Sequence, residues 1–105
     1  SQGFGLPPSL QFEMPPAKET SDAKTPVHFV VRDRGGGISE VRVLVNGIRI
    51  DLPEAGTTDL LEHSGRIRKT LDVPLQPGEN IVVVEALSAL GRIRAPILTA
   101  KIVRR

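Results

Sequence analysis

The sequence has no Cys, Trp or Tyr, and its only aromatic side chains besides histidine are three Phe in 105 residues. Without cysteine there is no disulfide framework, no thiolate zinc site and no cysteine nucleophile. The cysteine count fits cytoplasmic and extracellular modules alike, so it assigns no compartment. Two isolated histidines, His28 and His63, leave little for a metal site or for general acid–base chemistry. No apolar run approaches the roughly 18 residues of a membrane-crossing helix, and no segment reads as a cleavable signal peptide. A sustained helical period is missing too. These absences argue against catalysis, and neither a cofactor nor membrane insertion is expected.

What is present is a chain with 39% hydrophobic and 25% charged residues, 10 Gly and 9 Pro. Its length suits one domain with one core. Residues 1–8, which end in Pro7-Pro8, read as a linker or cloning scar, and 9–105 as the domain. The chain is read as a piece of a longer protein.

Period-2 alternation, the mark of a half-buried strand, recurs along the domain. Leu10, Phe12 and Met14 alternate with Gln11 and Glu13 before Pro15-Pro16 ends the run. The polar stretch Ala17 to Thr25 reads as a surface loop. Val27, Phe29 and Val31 then share a face opposite His28, Val30 and Arg32, with Phe29 the natural large residue of an aliphatic core. Ile38 to Val45 is the clearest strand, with Val41, Val43 and Val45 inward and Leu44 outward. Ile48, Ile50 and Leu52 alternate on its return strand. Between Glu54 and Gly65 the pattern lapses, and Asp59 to Glu62 suits at most one helical turn. Ile67, Lys69, Leu71 and Val73 share the next parity. Ile81 to Leu87, apolar on both faces apart from Glu85, reads as a central strand. A loop over Ser88 to Arg94 leads to a last strand, Ile97 to Val103. The total is about seven strands with turns every 8–12 residues, the pattern of an all-β sandwich.

The turns are as informative as the strands. Asn46-Gly47 is the strongest two-residue hairpin signal, because a type I′ turn wants positive φ at both positions. Pro77-Gly78 suits a corner that carries the chain from one sheet to the other, with Asn80 hydrogen-bonding backbone there.

Asp33-Arg34-Gly35-Gly36-Gly37-Ile38, then Val41 to Gly47, then Leu75-Gln76-Pro77-Gly78-Glu79-Asn80-Ile81, with Ala86 and Gly91, carry a likeness. Together they resemble bacterial immunoglobulin-like modules, above all those appended to caspase-like peptidases and WD40-repeat proteins. The resemblance covers most of residues 9–103 and implies an immunoglobulin-like β-sandwich. It supplies no catalytic residue; a peptidase dyad would lie in another domain.

The remaining constellations are weak. Asp59, Glu62, His63 and Ser64 have hydrolase residue types, yet a triad converges from separate segments instead of sitting side by side. Asp33 beside the glycines offers one carboxylate where calcium organises six to eight oxygens. Gly35-Gly36-Gly37 precedes a strand and not the helix a phosphate cradle requires. After Glu85 there is no acid: residues 1–85 carry 9 basic and 12 acidic side chains, and the remainder 5 basic. Arg92 and Arg94 are the candidate anion contacts of this basic end, although without stacking aromatics nucleic acid is disfavoured.

The leading expectation is therefore a non-catalytic interaction or spacer module that contacts neighbouring domains or another protein. Strand alternation places Leu44, Ile81, Val83 and Ile97 on the outer face of one sheet, flanked by Arg42, Glu85 and Lys101, as its contact surface, with weak self-association a corollary. The alternative is a module that binds nucleic acid or an acidic polysaccharide through its basic C-terminal hairpin.

Overall fold

The alternating pattern resolves into eight strands in a computed structural model that describes residues 6–52, 65–88 and 97–105. They are β1 (Leu6–Phe12), β2 (Glu19–Thr20), β3 (Lys24–Arg34), β4 (Glu40–Val45), β5 (Ile48–Ile50), β6 (Arg66–Pro74), β7 (Gly78–Leu87) and β8 (Leu98–Arg104). A three-stranded sheet has the order β1-β3-β6, and a five-stranded sheet the order β2-β8-β7-β4-β5. All neighbours are antiparallel except β2 and β8.

The two sheets face each other across a core of aliphatic side chains with one aromatic at its centre. Val27, Phe29, Val31, Ile67, Leu71 and Val73 come from one sheet; Val43, Val45, Val82, Val84, Ala86 and Ile102 come from the other. Phe29 is the largest fully buried side chain, as expected for a core with so few aromatics. Each buried Val, Leu or Ile among them contributes roughly 1.5–3 kcal/mol.

Several local expectations are amended. The chain enters β1 at Leu6, before the two prolines, and Pro8 is fully buried. Pro7-Pro8 sits where the β1–β3 register shifts, between Leu6 and Ser9. Proline cannot donate to the ladder, so an edge strand with an irregularity is where it fits. Pro26 in β3 is tolerated for a related reason: the pairing with β1 starts only at Phe29. Met14 lies past the end of β1 and is exposed. The polar stretch after Pro16 contains β2, a strand too short to show any alternation. Ile48 is 69% exposed because β5 is an edge strand that begins at the hairpin turn. The helical turn expected at most over residues 59–62 lies outside the described residues.

Both turn expectations hold. Asn46 and Gly47 have φ of 53° and 82°, the two positive values of a type I′ hairpin. Gly78, at φ 91°, carries the chain from β6 in one sheet to β7 in the other. Fully buried Asn80 ties this corner together. Its Oδ1 accepts from the Gln76 backbone N–H at 2.8 Å, and its Nδ2 donates to the carbonyls of Gln76, Gly78 and Ile102 at 2.8, 3.0 and 3.2 Å.

Candidate interaction surface

The outer face of the five-stranded sheet is set by the parity of β7. Val82, Val84 and Ala86 are buried, so Ile81, Val83 and Glu85 turn outward. Leu44 stands directly across from Val83, and Thr99 is on Val83's other side. Ile81 faces Lys101. The structure therefore brings Leu44, Val83 and Ile81 together on one face. Leu44 and Val83 are half-buried, and Ile81 is exposed at its edge. Ile97 sits just before β8 and is 51% exposed, at the margin of the stripe and not within its centre.

Charged side chains close the stripe at both ends. Arg42 donates to Glu40 at 3.1 Å and to Glu85 at 3.3 Å, and Arg49 reaches the other oxygen of Glu40. The Arg42 hydrogen bond is the main reason the Glu40 carboxyl lies below its ordinary pKa, and Glu40 in turn raises that of Arg42. Glu85, expected on the solvent side, is outward in parity yet buried beneath this cluster. At the other end Lys101 pairs with Glu79 at 3.1 Å. An apolar strip between fixed charges has the anatomy of a small contact patch.

The basic end is largely tied into the fold. Arg104 donates to the Leu75 carbonyl at 3.0 Å, Arg105 pairs with Glu19, and Lys101 with Glu79. Arg92 and Arg94 lie outside the described residues. So do Glu62, His63 and Ser64, together with Asp59.

His28 and Asp33 have structural partners. His28 Nδ1 is 2.9 Å from the Thr70 hydroxyl across the β3–β6 pair. Asp33 Oδ1 accepts from the backbone N–H groups of Gly35 and Gly37, both at 2.9 Å, and so shapes the glycine turn. Gly35 and Gly37 have φ of 111° and 74°, angles that favour glycine. Among the described residues no group of three or more His, Asp or Glu side chains is placed to hold a metal ion.

Lys69 takes the inward parity that its spacing gave it and is only 8% exposed, and burial lowers its pKa. One placement was not anticipated. On the outer face of the three-stranded sheet, Arg32, Arg66 and Arg68 cluster beside Ser9 and Gln11. Parity alone put Arg32 outward, but only the β3–β6 register brings Arg66 and Arg68 beside it.

No protein-family model matches the sequence, and no curated protein matches it. Among solved structures, the fibronectin(III)-like modules of Clostridium thermocellum CbhA are similar, with a TM-score of 0.64 and 17% identity. The similarity covers 95% of this chain and 47% of that one, so this chain spans about half its length. With two facing sheets and this neighbour, the fold is an immunoglobulin-like β-sandwich.

Proposed function

We propose that the chain is a non-catalytic interaction or spacer module of a larger bacterial protein, docked to a neighbouring domain through the outer face of its five-stranded sheet. The observation that carries this reading is the strip of Leu44, Val83 and Ile81 on the outer face between two sets of ion pairs. Burying it on a neighbour removes apolar area from water without stranding a charge. The similar solved chain, from a structure of fibronectin(III)-like modules, is about twice as long, so a neighbouring unit for such a face to meet fits that setting. The resemblance to modules appended to caspase-like peptidases and WD40-repeat proteins makes those the first hosts to examine.

Val83→Lys places a charge at the centre of the strip while leaving the inward side chains of β7 untouched. Sedimentation of the isolated chain and of its longer parent, with and without the substitution, tests the reading. Lost interdomain contact in the parent is the expected result. Unchanged contact there and unchanged association of the isolated chain would remove the strip from consideration.

A further inference from the structure

The opposite face of the sandwich carries a site of different chemistry. In the three-stranded sheet Ser9, Arg32 and Arg66 form one cross-strand row, and Gln11, Val30 and Arg68 the next. Their side chains line a shallow cleft of about 280 Å³. Arg32 and Arg66 stand directly opposite each other, and like charges in that position destabilise a sheet. Several other cations on the outer faces have acidic partners: Lys24 has Asp72, Arg42 and Arg49 share Glu40, and Lys101 has Glu79. Arg68 has Glu13, its Nε 3.1 Å from the carboxylate. Among the described residues no carboxylate pairs with Arg32 or Arg66.

We propose that this cleft binds an acidic, extended polypeptide segment whose carboxylates pair with Arg32 and Arg66. The planar guanidinium fork matches a carboxylate with two parallel hydrogen bonds. Glu13, which also lines the cleft, pairs with Arg68 on the same face through a single contact at Nε. Arg32 and Arg66 are direct cross-strand partners, their Cβ atoms about 5 Å apart, so both guanidinium groups can reach carboxylates of one peptide lying across the strands. Ser9 and Gln11 add neutral hydrogen-bonding groups at the rim. No aromatic side chain lines the cleft, so the stacking that holds single-stranded nucleic acid is missing from it. This site shares no residue with the strip on the other sheet and stands whether or not that strip docks a neighbour.

The test is a titration of a fluorescein-labelled Glu-Thr-Glu-Thr-Glu peptide with the full chain, measured by anisotropy at low ionic strength. The matching Gln-Thr-Gln-Thr-Gln peptide is the neutral control. The acidic peptide should bind, weaken with added salt, and lose affinity by about tenfold or more in the Arg32→Gln/Arg66→Gln variant. The Lys24→Gln/Lys101→Gln variant, which removes the same charge elsewhere, should bind as the parent does. Thermal melting of the arginine variant should be unchanged or raised, since a like-charge pair is removed. Equal binding by the parent and the arginine variant, or equal losses in both variants, would overturn the site. Tighter binding of heparin or a deoxythymidine oligonucleotide through the same arginines would overturn the choice of ligand.

Discussion

The side chain of Asn46, in the β4–β5 turn, donates to Oδ1 of Asn80, at the corner between the sheets, across 2.9 Å. The hairpin and the corner are thus one hydrogen-bonded unit. Asn46 also accepts from the Ile81 backbone N–H at 2.9 Å and donates its own to the Ile81 carbonyl at 2.9 Å. Asn80→Ala should therefore cost about 2–3 kcal/mol, because it leaves several partly buried groups without partners. Asn46→Ala should cost less, and the double variant should fall short of the sum by about 0.5 kcal/mol or more. Urea denaturation of the four proteins measures this, and strict additivity would show that the two turns are independent.

Gly47→Val should destabilise the chain by about 1–3 kcal/mol, the cost of forcing a β-branched residue into positive φ. A Cβ at Gly47 meets nothing within 4 Å, so the penalty is conformational and not steric contact with a neighbour. Gly47→Asn, which tolerates that backbone, should lose clearly less. Equal midpoints for the valine variant and the parent would exclude the type I′ geometry.

Lys69 gives the chain an alkaline signature. Burial lowers its folded pKa below the unfolded value, so over the intervening window the unfolded state holds a proton that the native state has released. Stability from this residue is lowest below the folded pKa and rises with pH through that window. Lys69→Met should remove the rise. Parallel stability curves for parent and variant across alkaline pH would show that the ammonium stays charged when buried.

Glu40 acts at the other end of the pH scale. Arg42 and Arg49 hold its folded pKa below the ordinary 4.5, so its contribution is complete above that value and is lost as pH falls through the folded one. Melting temperatures from neutral to acid pH should fall less in Glu40→Gln than in the parent. Added salt should shrink the difference, because the cluster is partly exposed.

Inward and outward faces were legible wherever alternation was unbroken, because a strand's side-chain period is fixed by its backbone. Val27, Phe29, Val31, Val82, Val84 and Ala86 are all buried as their spacing indicated. Asn46, Gly47, Gly78 and Asn80 were legible for a different reason, since each turn demands chemistry that few residues supply. Long-range pairing was not legible. Nothing local to Glu19-Thr20 announces that it lies along Val103-Arg104, and nothing in Arg66 reveals that it faces Arg32. Lys69 read as inward by parity, but a charged side chain in that place is decided by its surroundings. The exposure of Ile48 follows from edge position, which is a property of the sheet and not of the strand. The strip of Leu44, Val83 and Ile81 came from parity and strand neighbours together. Ile97 fell at its margin because the last strand starts one residue later than the alternation suggested.

The place of β8 has a consequence for how the protein is made. This last strand does not close an edge; it enters between β2 and β7, and its Ile102 is fully buried. During synthesis every other described strand leaves the ribosome first, with β7 showing a bare row of backbone groups and β2 lacking its partner β8. Neither can be satisfied until residues 98–104 have emerged. The nascent chain therefore passes through a stage in which most of the sandwich exists while its hydrogen-bonding slot stands open to any other extended chain. Closing that slot joins residues more than 80 positions apart at Glu19 and Val103, a non-local step of the kind that slows folding. The interval between the emergence of β7 and the arrival of β8 is the period in which this chain most needs a chaperone.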